Sequence, residues 1–237
     1  MKLKKILLCT LSISLLASCT NKSKDEPQKP QKLEENQDQK QGDKADKKDE
    51  NIPEKSKSEI ESDDILNYIG KTYDKDGVSI DLLKGGKINK SFEQGPLKIS
   101  IEGMYIGRIT KITNEQIKSY YNTDDPINIV TIIYKVENTS NDTYEFYIGQ
   151  SPITTDSKEQ IEADLLVGKE GGGNLLGQTI KDGINVYYPN NKIEDIKEIT
   201  WHIKDANSED YQTKIDGIKV KFTFDEKGNI KSTEEIK

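Results

Sequence analysis

The sequence predicts a mainly β protein: an antiparallel β-sandwich with one or two short helices, preceded by a signal peptide and a disordered linker. Short segments of alternating apolar and polar residues recur between residues 86 and 225, with turn-forming residues between them, as in sandwich domains. Residues 20–62 contain no aromatic residue and few apolar ones, which is typical of disorder. The first 18 residues follow the pattern of an export signal.

The N-terminus has the three zones of a secretory signal. Lys2, Lys4 and Lys5 give it a positive start, an apolar run follows over residues 6–16, and small residues come next. The apolar run is too short to span a bilayer as a permanent helix. We therefore predict that residues 1–18 are removed from the exported chain.

The end of this signal, Leu16-Ala17-Ser18-Cys19, resembles the lipobox of bacterial lipoproteins, with a leucine, two small residues and a cysteine. The resemblance implies that the Cys19 thiol takes a diacylglyceryl group and that cleavage occurs just before it. Two acyl chains anchor a protein stably, whereas one binds a membrane only reversibly. We expect an extracytoplasmic protein that is lipid-anchored to the cell membrane. The alternative is that Cys19 is an incidental thiol behind an ordinary signal.

Charge and cysteine content exclude several classes of protein. Removal of the signal, which carries three lysines and no acidic residue, changes the formal charge from −7 to −10. An acidic surface argues against a nucleic acid partner. Cys9 leaves with the signal, so Cys19 is the one cysteine of the mature chain. A disulfide, a cysteine-ligated zinc ion and thiol catalysis are therefore not expected.

The segment after Cys19 is expected to be a stalk. Its lysines nearly balance its acidic residues, and it lacks the apolar surface needed to offset chain entropy. As a flexible coil it would span roughly 35 Å. A specific binding role for the segment is the alternative. We therefore predict a signal over residues 1–18, Cys19 and the linker over residues 19–62, and one sandwich domain over residues 63–237 with its core at about 86–225.

At the start of that domain we predict a short helix over residues 62–70. A second short helix begins at a capping box formed by Thr113 and Gln116 and runs through Tyr121. The predicted strands are 88–92, 97–106, 127–136, 144–148, 160–167, 184–188, 196–203 and 218–224. Segment 127–136 is apolar on both faces, with Ile129 and Ile133 on one face and Val130 among the residues on the other. This pattern indicates a central, covered strand.

The order of these segments supports a more specific fold. Strand 127–136 runs into Glu137-Asn138-Thr139-Ser140, an aromatic strand follows, and then Asp156-Ser157-Lys158-Glu159-Gln160. Gly177-Gln178-Thr179 then precedes strand 184–188. This order resembles the immunoglobulin-like domain of Gram-positive lipoproteins known as domain of unknown function 4352, over roughly residues 86–225. The resemblance implies an immunoglobulin-like sandwich in the cell envelope and brings no catalytic residue with it.

Two segments are candidate sites. His202 is the only histidine, and alternation places Trp201 in the core and His202 on the surface; a general base is the alternative. The stretch 168–174 contains Gly171, Gly172 and Gly173 but lacks the Gly-Lys-Ser/Thr ending of a phosphate-binding loop. We expect a mobile connection between strands and keep these three glycines as candidate binding residues at one end of the sandwich.

Acidic and tyrosine residues supply the remaining candidates. Acids cluster at residues 124–125 and 156–164, where we expect a solvated acidic face; a calcium site or a catalytic carboxylate pair is the alternative. The chain has 11 tyrosines, and the adjacent Tyr120 and Tyr121 are candidates for binding a protein or a glycan, because tyrosine joins a large apolar area to a polar tip.

These observations predict a non-enzymatic binding or interaction module, without cofactor or metal, displayed on the membrane through Cys19. Its ligand is an unidentified protein or glycan. Two alternatives remain open: an envelope hydrolase that uses paired carboxylates, and a substrate-capturing lipoprotein of a transporter.

Overall fold

The computed structural model describes residues 65–237. The predictions for the signal, for the lipidation of Cys19 and for the linker lie outside the described residues. The described residues belong to one compact unit, and no helix among them is long and apolar enough to cross a membrane.

Fourteen strands, one α-helix and three 3₁₀ turns make up the described chain. The strands are β1 Thr72–Lys75, β2 Val78–Gln94, β3 Leu97–Ile112, β4 Ile127–Asn138, β5 Tyr144–Phe146, β6 Ile153–Thr155, β7 Gln160–Ile161, β8 Gly173–Leu175, β9 Ile180–Tyr187, β10 Glu198–His202, β11 Ala206–Ser208, β12 Lys214–Ile215, β13 Lys219–Phe224 and β14 Ile230–Ile236. The helix α1 is Glu115–Tyr121, and the 3₁₀ turns are Leu66–Tyr68, Ile148–Gln150 and Ile193–Asp195.

The strands form three sheets, and the pairs within them are antiparallel. The first sheet has the order β1-β2-β3-β4-β9, the second β14-β13-β10-β6-β7, and a smaller one β12-β11-β5-β8. One large core contains side chains of all three sheets, most of them from the first and second sheets. The predicted mainly β, antiparallel sandwich with a short helix is confirmed.

Strand β4 is central and covered on both faces, as predicted. It lies between β3 and β9 in the first sheet. Val130, Ile132, Tyr134 and Val136 project into the main core, whereas Ile129 and Ile133 belong to a second apolar cluster. Because side chains alternate across a strand, these two clusters lie on opposite faces of the sheet.

The main core is centred on aromatic side chains. Trp201 is fully buried, and its ring centroid lies 5.2 Å from that of Tyr134. His202 points the other way and is partly exposed, as predicted, with its Nε2 atom 2.8 Å from the Thr154 hydroxyl. Burial and the nearby Lys219 lower the pKa of His202. The histidine is therefore a paired sheet-surface residue.

Three local predictions were wrong. The helix predicted over residues 62–70 is, within the described residues, only the 3₁₀ turn Leu66–Tyr68. The strand predicted over residues 160–167 ends at Ile161, because the Asp164 carboxylate accepts the backbone N–H groups of Leu166 and Val167 and bends the chain there. The N-cap of α1 is Asn114 and not Thr113, whose hydroxyl donates to the Gly77 carbonyl.

Candidate binding site

The outer face of the first sheet carries the second apolar cluster, which we call the outer cluster. Its buried members are Ile65, Leu66, Tyr73, Leu82, Tyr105, Ile109, Ile129, Ile133 and Val186. The first 3₁₀ turn covers one part of it, where the absent side chain of Gly103 leaves room for Leu66. Helix α1 and the segment 164–167 stand over another part.

Between these covering segments lies a pocket of about 490 Å³, which we call the tyrosine pocket. Its floor consists of Tyr105, Ile109, Ile129, Thr131 and Val186 from strands β3, β4 and β9. Its walls are formed mainly by Tyr73, Ile80, Ile117, Tyr120, Tyr121, Leu166 and Val167. The pocket is predominantly apolar and has the size of a small-molecule site.

Strand register builds the floor. Tyr105 pairs with Thr131 across β3 and β4, and Thr131 pairs with Val186 across β4 and β9. These three side chains therefore lie in one row on the outer face. The Thr131 residue is only 2% exposed, and its hydroxyl makes no hydrogen bond of normal geometry with any residue of the described range 65–237. The Tyr105 side chain is nevertheless close enough to Thr131 for a weak hydrogen-bonding interaction.

Helix α1 forms one wall of the pocket without being packed down on the sheet. The Asn114 side chain caps it by accepting from Gln116 N at 3.0 Å and Ile117 N at 3.3 Å. None of the seven helical residues is fully buried, and Ile117 and Tyr121 stay half-buried above the pocket. A helix this short depends on its cap and its tertiary contacts, so its apolar face gains from anything that fills the pocket.

The carboxylate of Asp164 ties the helix to the opposite wall. It accepts the Tyr120 hydroxyl at 2.7 Å and the backbone N–H of Leu166 at 2.8 Å. Burial opposes ionisation, but these hydrogen bonds outweigh it and lower the pKa of Asp164. The bond to Asp164 raises the pKa of Tyr120 to about 12. Both walls of the pocket are thus fixed at a single acidic residue.

A tyrosine pair continues this network behind the helix. The hydroxyls of Tyr121 and Tyr188 are 3.1 Å apart, and the two rings meet edge to face. Burial raises the pKa of both residues, and it raises that of Tyr105 on the floor as well. The surroundings of the pocket therefore oppose negative charge.

The mouth of the pocket is unusually apolar for a surface. Leu166 is 82% exposed, and its neighbours Leu165 and Val167 are exposed as well. Tyr120 adds an exposed ring on the helical side. Exposed apolar side chains that adjoin a pocket often mark a binding surface.

Of the five candidate binding residues, Tyr120 and Tyr121 line this pocket, and Gly171, Gly172 and Gly173 do not. The glycine segment differs from the expected mobile connection. Lys169 exchanges two backbone hydrogen bonds with Ile184, and Gly171 and Gly172 are buried. A binding role for the glycines stays a prediction.

The floor residues were not predicted as site residues. One signal for them was present in β4, where Thr131 is the single polar residue on a face that is otherwise apolar from Ile127 to Ile133. A polar side chain in that position either finds a partner or marks a site. The partners Tyr105 and Val186 depend on strand register, which the sequence does not supply.

The acidic residues are mostly engaged locally. Asp124 pairs with Lys118 at 2.8 Å, Glu159 accepts the Asn190 N–H at 2.8 Å, and the Asp156 carboxylate accepts the Lys197 N–H. Among residues 65–237 no group of three or more histidine, cysteine or acidic residues is placed to hold a metal ion.

A wider groove of about 870 Å³, more polar than the tyrosine pocket, lies near the Ile193–Asp195 turn and is lined by five acidic residues and three lysines; we call it the charged groove. Its Glu194 carboxylate is 2.7 Å from Arg108, and hydrogen bonds from its own backbone and from Arg108 lower the pKa of Glu194. Hydrogen bonds from Asn229 lower the pKa of Asp225. The general acid of a glycosidase has a raised pKa, whereas the pKa values of Glu194 and Asp225 are lowered.

Comparison with known proteins gives structural similarity only, since neither a protein family model nor a curated protein matches the chain. The chain is similar to a functionally unknown protein from Listeria monocytogenes EGD-e, with 12% identity and a TM-score of 0.42 over 52% of this chain and 75% of that one. It is similar to the yjhA protein from Bacillus subtilis, with 14% identity and a TM-score of 0.33 over 50% and 79% of the two chains. A conserved hypothetical protein from Bacillus anthracis gives 12% identity and a TM-score of 0.35 over 56% and 96%. At these TM-scores the similarities carry no functional inference.

Proposed function

We propose that the chain is a cell-envelope lipoprotein, anchored through Cys19, whose sandwich is a non-enzymatic binding module with the tyrosine pocket as its ligand site. The pocket carries the proposal. It holds about 490 Å³ and is predominantly apolar, within the range of about 300–1,000 Å³ that is usual for ligand sites. Its apolar floor favours an apolar small molecule over the protein or glycan ligand expected from the sequence. The same property supports the substrate-capturing lipoprotein as a second candidate.

The charged groove gives the hydrolase alternative less support than the tyrosine pocket gives a binding module. The Glu194 carboxylate forms an ion pair with Arg108. The Asp225 carboxylate accepts the backbone N–H of Asn229 within a turn. A carboxylate engaged in this way is stabilised in its ionised form and is a poor proton donor at neutral pH. His202 lines neither the tyrosine pocket nor this groove.

The proposed membrane anchoring is tested with the native protein and a Cys19→Ala variant. We expect the native protein in the membrane fraction, with an intact mass that lacks residues 1–18 and includes a diacylglyceryl group. The variant has no thiol to be acylated and should leave the membrane fraction. Equal solubility of the two forms would show that Cys19 is no anchor.

The pocket is tested with Nile red, a neutral dye whose fluorescence rises in apolar surroundings. Val186→Phe places a larger ring on the floor of the pocket and should weaken dye binding by more than about tenfold, since it removes the volume that the dye needs. Fluorescence titration measures the affinity.

Ile180→Phe is the matched control. Ile180 lies on the same strand and the same face as Val186, is exposed, and does not line the pocket. Its substitution should leave dye binding unchanged. If Val186→Phe folds and binds the dye as well as the native protein, the tyrosine pocket is not the site.

A further inference from the structure

Thr131 places a hydroxyl group on the floor of the tyrosine pocket. It lies in the middle of the floor row, between Tyr105 and Val186, and its hydroxyl makes no hydrogen bond of normal geometry with the part of the chain that the structure describes. A buried hydroxyl without a hydrogen bond of normal geometry is costly, and a ligand group that paired with it would recover part of that cost. A 120° rotation about the Cα–Cβ bond of threonine can move the hydroxyl to the position held by the methyl group, while the methyl group moves to the position of the hydrogen. The hydroxyl can therefore turn towards a ligand by a change of χ1 rotamer, without movement of the backbone.

The charges around the pocket restrict what that ligand carries. Among the described residues that line it, Lys75 and Asp76 are the charged ones, and they are adjacent and opposite in sign. The neighbouring Asp164 is engaged by Tyr120 and by the backbone of its own turn. Burial raises the pKa of Tyr105 and Tyr121, so the interior disfavours an anion. A neutral polar group is the one that this floor accommodates at least cost.

We propose that the tyrosine pocket binds a neutral amphiphile, whose apolar body lies over Ile109, Ile129 and Val186 and whose one hydroxyl or carbonyl group pairs with the Thr131 hydroxyl. This inference rests on the proposed function of the pocket and adds the chemical class of its ligand. It makes Thr131 the residue that distinguishes such a ligand from a hydrocarbon or a carboxylate of the same shape.

Three probes of one shape test this: p-cresol, p-xylene and p-toluate, which differ in carrying a hydroxyl, a methyl or a carboxylate group. Their affinities are measured by NMR titration, with the methyl signals of the isoleucines on the floor reporting where each probe binds. The native protein should bind p-cresol more tightly than p-xylene and p-toluate.

The variant Thr131→Val keeps the shape of the side chain and removes its hydroxyl. It should weaken p-cresol binding by about tenfold or slightly less, which is what the loss of one neutral hydrogen bond produces, and leave p-xylene binding unchanged. Thr131→Val should be about as thermostable as the native protein, because it removes a buried hydroxyl that makes no hydrogen bond of normal geometry with the described residues.

Thr233→Val is the matched control. Thr233 in β14 is also buried with an unpartnered hydroxyl, and it does not line the pocket. This variant should keep the native affinity for all three probes. An equal loss of p-cresol and p-xylene affinity in Thr131→Val, no loss for p-cresol, or preferred binding of p-toluate overturns the inference and leaves the pocket as a binding site. Failure of the native protein to bind any probe overturns the inference together with the pocket's proposed function.

Discussion

Tyr134 shows how single glycines shape this protein. Its ring lies against Gly171 and Gly183, whose backbones approach it so closely that a Cβ atom on Gly183 would lie 2.2 Å from the ring. The hydroxyl donates to the Asn185 side chain at 3.0 Å, and Asn185 in turn donates to Tyr187. The ring is fully buried, so it has no space into which to move. The two glycines are therefore packing residues.

This packing predicts the effect of Gly183→Ala. The added methyl group should lower the free energy of unfolding by about 3 kcal/mol, at the upper end of the usual cost of overpacking, because the Tyr134 ring cannot yield. Urea denaturation measures the change.

Gly173→Ala separates packing from backbone strain. Its Cβ would meet nothing within 4 Å, but Gly173 has a φ of +77°, so that substitution should cost only about 1 kcal/mol. A loss in Gly183→Ala no larger than the loss in Gly173→Ala would contradict the packing interpretation.

At the scale of elements, helix α1 is the wall of the proposed site that local sequence specifies. The Asn114 side chain accepts the N–H groups of Gln116 and Ile117, and Asn122, with a left-handed φ of 48°, ends the helix. Thr113 stands one residue earlier, and its hydroxyl donates instead to Gly77 across the β1–β2 turn. The capping-box motif therefore predicted the helix correctly and its first residue wrongly, because both residues are good caps and tertiary contacts decide between them.

Asn114→Ala should lower the free energy of unfolding by about 1 kcal/mol, since two backbone donors lose their acceptor. Hydrogen exchange at the amides of Gln116 and Ile117 should become faster. Thr113→Ala is the control, and it should leave exchange at these two amides unchanged. Faster exchange in Thr113→Ala alone would restore Thr113 as the cap.

Other elements differ in how far sequence determines them. Strand β4 was predicted because its residues are apolar on both faces, and strand β13 because apolar and polar residues alternate along it. In both strands most of these apolar residues are buried. Strand β14 was not predicted, because most of its side chains are polar and no apolar residue alternates along it. Its one buried residue is Thr233. The strand exists because its backbone pairs with the edge of β13, and such pairing leaves no pattern in the side chains.

At the scale of the whole molecule, the sandwich class was predictable and the site was predictable only in part. Tyr120 and Tyr121 were named because adjacent tyrosines on a short helix stand out in the sequence. The floor consists of Tyr105, Thr131 and Val186, which come from three strands and meet only through strand register. Register between distant segments depends on the complete set of pairings, so the site emerges only once the sheet is assembled.

The two apolar clusters share the same sheet but differ in how closely they are packed. Ile129 and Ile132 are both buried in β4, 3% and 0% exposed, and face the outer cluster and the main core respectively. Ile129 borders the tyrosine pocket, so part of its surface already lacks neighbouring protein atoms, whereas Ile132 is surrounded. Removal of each side chain should therefore have a different cost.

We expect Ile132→Ala to lower the free energy of unfolding by about 4 kcal/mol and Ile129→Ala by only about 2 kcal/mol, both within the usual range of about 2–5 kcal/mol for such truncations. Urea denaturation gives both values, and an unchanged dependence on urea concentration in both variants would show that the two clusters unfold together. Because the strands of the first sheet carry both clusters, we expect that single transition.

Equal costs for the two truncations would mean that the outer cluster is as tightly packed as the main core. The outer face would then have no room for a ligand, and the tyrosine pocket would lose its basis as a binding site.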